Sequence, residues 1–202
     1  MATTVTIPVA NDTSINSYSD TTNWGGSAVI HIGDSNTAVA TGRAILNFAG
    51  LTAGSVPTNA IVTGATLSIY ANGDLASNAS TVSVYRLKRT PVYNQCTWNI
   101  YSTGNNWTTA GAFHADDCEQ TSIGTLGLTA TETLNQYKNI PLTASAVQEI
   151  VSGSHAFNHL LIKTLAETDN RYNYDSLEET GNNYPTMTVT YELPSGTQTI
   201  II

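Results

Sequence analysis

The stretch from Arg43 to Arg89 constrains this chain most, because its apolar side chains recur at every second residue. It opens with RAILNF (43–48), crosses a loop holding Gly50, Gly54 and Pro57, continues as IVTGATLSIYANG (61–73) and closes with STVSVYRLKR (80–89). In the middle segment Ile61, Ala65, Leu67 and Ile69 share one face, and Thr66, Ser68 and Tyr70 share the other. Successive side chains of a strand point to opposite faces of its sheet, so this pattern predicts a half-buried antiparallel strand. Asn72-Gly73 is expected to end it in a turn, where glycine adopts positive φ without steric cost. The last segment carries apolar groups on both faces, Val82 and Val84 against Tyr85 and Leu87, and so predicts a strand deep in a two-layer structure. These are expected to be the core strands of a β-sandwich.

The remaining segments fit the same class. Val5, Ile7 and Val9 alternate in an N-terminal strand, and Ala28–Ile32 reads as a short strand after a turn at Asn23-Trp24-Gly25-Gly26. Residues 33–42 read as a polar loop, and Thr90–Gly127 as a long stretch of weak periodicity. Lys138–Leu142, Leu160–Leu165 and Thr186–Tyr191 read as further strands. Residues 143–152 form the one predicted helix, with Thr143 as N-cap, Val147, Ile150 and Val151 at helical spacing, and Gly153 as stop. Residues 1–193 are thus expected to form a single domain, followed by an apolar tail, 194–202.

Charge narrows the partners. Charged residues make up only 11% of the 202 residues, and the formal net charge is −8. Arg86, Lys88 and Arg89 are the only basic cluster, too few to neutralise a run of phosphates, which argues against nucleic acid. No run is long enough to insert in a membrane, and MATTVTIPV lacks the basic and apolar regions of a secretory signal.

The order NWGGSAVIHIGD, GRAILNFAGL, VPTNAIVTGATLSIY, VSVYRLKR, CTWN, IPLTASAVQEIVSG, LLIKT and YPTMTVTY resembles the DNRLRE domain family over residues 5–192. The resemblance implies a jelly-roll-like antiparallel β-sandwich grouped with carbohydrate-binding modules. It also implies a virion-type member, since DNRLRE-like domains occur in phage virion proteins that need no signal. Characterised glycan-binding members of that family use basic residues on acidic polysaccharides. With seven Lys plus Arg against fifteen acids, this chain points to a neutral glycan instead.

Candidate sites follow. Cys96 and Cys118 lie in the irregular segment and are expected to form a disulfide worth roughly 3 kcal/mol by loop closure. Free buried thiols and an incomplete metal pair are the alternatives. His114, Asp116, Asp117 and Glu119 in HADDCE supply oxygen ligands for a structural calcium, set against a solvated loop. Trp98 and Trp24 fall in family-like turns, whereas Trp107 stands in a polar loop, GNNWTT. It is the candidate for stacking on sugar, with Tyr93, Tyr101, Tyr172 and Tyr174 as companions. The acids of residues 167–179 cannot be placed across a cleft from sequence, and no nucleophile motif is present.

The function expected is a non-catalytic structural or display protein on the outer surface of a particle: a virion decoration or fibre-type protein that also recognises glycan. Its partners would be other virion or surface subunits in a multimeric assembly. A secreted or cell-surface carbohydrate-binding module is the alternative, and a polysaccharide-active hydrolase stands last. Ile200, Ile201 and Ile202 are expected to supply an assembly strand, paired within the chain or with a neighbour.

Overall fold

The alternating segments fold as antiparallel strands. In the computed structural model, residues 1–35, 40–74, 76, 78–168 and 170–194 are described. In chain order the strands are β1 (Ala2–Pro8), β2 (Asn11–Asn16), β3 (Val29–Ser35), β4 (Ala40–Asn47), β5 (Ile61–Asp74) and β6 (Ser80–Arg86). A small hairpin follows, β7 (Ile100–Ser102) with β8 (Asn105–Asn106), then β9 (Gly124–Leu128) and β10 (Gln136–Leu142). Helix α1 (Ala144–Ser152) precedes β11 (His159–Thr164), β12 (Tyr172–Asp175) and β13 (Thr186–Glu192). The chain is all-β and antiparallel, with one α-helix among the described residues.

The expected two stacked sheets are joined into a ring. Hydrogen-bonded neighbours run β5, β10, β9, β6, β11, β4, β3, β12 and back to β5. The cause is the length of β5. Its residues 61–68 pair with β13, leaving 71–74 to pair with β12, which bridges to β3. β1 extends the layer beyond β13, and β2 lies beside β4.

The bulge between Thr190 and Tyr191 corrects the reading of β5. It lets the strand slip one residue opposite Gly64, which reverses the facing of everything before it. Val62 therefore points inward, and Ile61, expected inside, is exposed. Asn72-Gly73 makes no turn either. Gly73 stays in the strand opposite Asn173, whose side chain a Cβ on Gly73 would meet at 2.9 Å. Both ends of the loop expected over 33–42 are strand instead, since β3 runs to Ser35 and β4 starts at Ala40.

Two apolar clusters lie on either side of β4, β6 and β11. Leu46, Val84, Leu160 and Ile162 face inward to the main core with Leu67, Ile140 and Val189. Ile45, Tyr85 and Leu161, the intervening residues, face outward. There they meet Cys96, Trp107, Ala112 and Cys118 from the irregular segment. Both faces of these strands are therefore covered, as the apolar pattern of 82–87 demanded, and the 90–122 excursion is the outer cover. Helix α1 buries Ala146, Val147, Ile150 and Val151 in the main core, and Gly153 ends it in the left-handed region at φ 79°. Thr143 caps it through its carbonyl, which accepts from Ala146 N at 3.1 Å, with no side-chain cap bond.

Candidate functional site

The 90–122 cover takes up most of the residues expected to bind. Trp107 is buried, not exposed: its Nε1 donates to Thr97 O at 3.0 Å and its ring lies 5.4 Å from Tyr101. The flanking Asn105, Asn106 and Thr108 are exposed, so their polarity reports the loop and not the ring between them. Tyr101 is half-buried against it, with Arg89 over its ring. Tyr172 and Tyr174 lie on β12 and are 1% exposed, as core side chains that close the ring.

Cys96 and Cys118 are both fully buried free thiols, and the expected disulfide is absent. Each packs into the outer cluster with a separate neighbour: Cys96 Sγ faces Thr97 O, and Cys118 Sγ accepts from Gln120 Nε2 at 3.4 Å. Burial pushes the thiols up to about 12 and about 11.

The HADDCE residues diverge. Asp117 is fully buried and accepts from the amides of Thr108 and Thr109 at 2.8 and 3.2 Å and from Arg89 Nε at 3.3 Å. Glu119 turns the other way to a two-pronged pair with Arg86, while His114 and Asp116 stay at the surface. No group of three or more His, Cys, Asp or Glu among the described residues is arranged to hold a metal. Of the expected calcium ligands, Asp117 and Glu119 are thus separate structural anchors, and His114 and Asp116 are surface groups. Ile200, Ile201 and Ile202 lie outside the described residues.

The charged clusters are likewise committed to architecture. Arg43 gives Nε and Nη2 to Glu167 at 2.7 and 2.8 Å and Nη1 to Gly111 O, beneath the ring of Trp98 at 4.8 Å. Arg86 ties β6 to the helix through Glu149 at 2.7 Å and Ala146 O at 2.9 Å.

Two surfaces among the described residues bear on binding. The first is the outer face of β1, β13, β5 and β10. The register places Thr4 beside Thr190 and Gly64, then Thr6 beside Thr188, Thr66 and Pro141. The next row holds Pro8, Thr186, Ser68 and Asn139, and the last pairs Tyr70 with Tyr137. Side chains touch across strands: Thr4 and Thr190 hydroxyls at 3.0 Å, Ser68 and Asn139 at 2.8 Å, and the two tyrosine rings edge-to-face at 5.2 Å. None of these positions is charged; the row beyond Thr4 and Thr190 holds Ala2, Glu192 and Ile61, and Glu192 is the acid at the end of the face. Adjacent rows repeat at about 6.7 Å along a strand and columns at about 4.8 Å across it, giving an ordered field of hydroxyls. The TVTIP and TMTVT alternations were its sequence signal.

The second is a cleft of about 380 Å³ lined by Asn11, Asp12, Gly25, Tyr93, Asn94 and Glu178. The Asn23 turn builds its wall: Asn23 Nδ2 donates to Tyr93 O and Cys96 O at 2.7 and 2.6 Å. Gly25 passes so close that a Cβ would lie 2.5 Å from Tyr93 O. Tyr93, one of the expected sugar-stacking residues, is half-buried here, with its hydroxyl 3.1 Å from His159 Nδ1. Asp12 is 3% exposed, and its Oδ2 accepts from Leu177 N at 2.7 Å. Burial and then the charge of Glu178 push its carboxyl up to about 7.

Residues 12–189 match the family model described as disaggregatase related repeat domain. No curated protein matches the chain. The match corrects the expected membership of the DNRLRE family and of its virion type. The motifs that carry that resemblance are short turn and strand segments with structural roles, such as the Asn23 turn that pins residues 93–96.

Proposed function

The chain belongs to the disaggregatase related repeat domain family, and from that premise we propose that it is a non-catalytic module displayed on an outer surface, where it recognises a neutral glycan. The observation that carries this reading is the hydroxyl-bearing outer face of β1, β13, β5 and β10, on a protein of net charge −8. Its rows from Thr4 and Thr190 to Ser68 and Asn139 carry no charge, and Glu192 lies at its end. A neutral polysaccharide offers hydroxyls that both donate and accept, and Thr and Ser hydroxyls do the same. Tyr137, 40% exposed at the end of the field, offers a ring for stacking. The description as a repeat domain suits a module that serves beside other units. The jelly-roll description of the fold belongs to this reading as well, as the form in which a ring of strands presents one broad outer layer.

The test is retention of the full chain on neutral polysaccharides, followed by reducing-end release. Retention is expected, without new reducing ends. Thr188→Glu, which sets one charge in the middle of the field, should weaken retention at least about tenfold, or roughly 1.4 kcal/mol, with an unchanged melting curve. Absent retention, or equal retention by Thr188→Glu and Tyr137→Ala, would overturn the glycan reading. New reducing ends would make the chain a hydrolase.

A further inference from the structure

We propose that the cleft between Asp12 and Glu178 is a second binding site, distinct from the outer hydroxyl face, and that it takes a ligand bearing a primary ammonium group, such as an amino sugar or an amine-terminated side chain.

The geometry begins with Asp12. Its side chain is more than nine-tenths buried, yet only Oδ2 is hydrogen-bonded, to the amide of Leu177. The other oxygen accepts nothing among the described residues, and it opens to the cleft rather than into sealed core. A carboxyl oxygen held this way is an acceptor at the cleft surface, where an N–H of a ligand can take the place of water. Glu178, exposed on the lip one residue beyond Leu177, adds a second carboxylate, and no Lys or Arg lines the cleft. The site therefore calls for positive charge and N–H donors together.

An ammonium fits this demand better than a metal ion. It presents three donors to separated acceptors, and charge-assisted bonds to carboxylates are the stronger kind. Calcium takes six to eight oxygens at close range, whereas this cleft offers two carboxylates with Asn11, Asn94 and Tyr93 around them. At about 380 Å³ the cleft is also of the size that holds a small organic molecule. The upward push on Asp12 by burial and by Glu178 agrees with a site that lacks its counter-charge.

The experiment uses the full chain and titrates 6-amino-6-deoxyglucose against glucose, the same ring with hydroxyl in place of ammonium, and calcium chloride separately. The amine should bind at least about tenfold more tightly than glucose, about 1.4 kcal/mol. Asp12→Asn keeps an oxygen for Leu177 N–H and should abolish the preference. Glu178→Gln, at an exposed position, should weaken it severalfold while leaving the melting curve unchanged. Thr188→Glu should leave amine binding intact, which separates this site from the outer face. Equal binding of amine and glucose, no binding of the amine, or amine binding that survives Glu178→Gln at full strength would overturn the proposal. So would saturable calcium binding that the amine does not displace.

Discussion

Asp12 and His159 are held in the less charged direction by the same cause, burial, and their effects on stability run in opposite senses. Asp12 titrates at about 7 in the folded chain instead of 3.8, and His159 at about 4 instead of 6.5. A raised carboxyl contributes stability that is full below the unfolded value and is lost as pH climbs from 3.8 to about 7. A lowered imidazole contributes stability that is full above 6.5 and is lost as pH falls towards about 4. Between about 4 and 6.5 the folded chain holds one extra proton on Asp12 and lacks one on His159, so the two slopes cancel. Asp12→Asn should unmask the histidine: across that window the variant gains, relative to the parent, a slope of about 1.4 kcal/mol per pH unit, stability rising with pH. Denaturant melts at three pH values check this, and parallel curves for variant and parent would refute it. Asp12 was illegible in the sequence because its burial depends on Leu177, 165 residues along the chain. Trp107 was misread for a related reason. Its neighbours are polar and exposed, and nothing local shows that the ring alone turns inward.

At the scale of elements, β6 was readable because it is apolar on both faces, a pattern that only double coverage allows. What covers it was not readable. Segment 90–122 has little periodicity because it holds its place by single anchors: Arg43 on Gly111 O, Asn23 on Tyr93 O and Cys96 O, and Asp117 on Thr108 and Thr109. Strand β5 shows the reverse case, where alternation was plain but one bulge at Gly64 moved Ile61 out and Val62 in. Helix α1 was legible almost to the residue, since helical spacing and a following glycine act locally. The outer cover is expected to depend on Trp107. Trp107→Ala should cost roughly 3–5 kcal/mol, the range for a large aromatic removed from a packed interior. Equilibrium unfolding measures this, and a loss within about 0.5 kcal/mol would return Trp107 to the surface.

For the molecule as a whole, the all-β class followed from alternation alone, while ring closure turned on how many partners one strand accepts. That depends on length and register together, and the apparent turn at Asn72-Gly73 hid the last residues of β5 that complete the ring. The first and last described strands have a consequence of a mechanical kind. β1 and β13 lie side by side in antiparallel register, Ala2 against Glu192 at one end and Pro8 against Thr186 at the other. Tension applied at residues 2 and 192 enters at a single end of that ladder and peels its pairs apart in turn. Tension applied at residues 2 and 186 loads all seven pairs of the register at once. Single-molecule pulling should therefore find a lower rupture force for the first attachment than for the second, and equal forces would contradict the register. A chain of such units drawn from their ends would yield early and one at a time, lengthening under load as a compliant tether and not as a stiff strut.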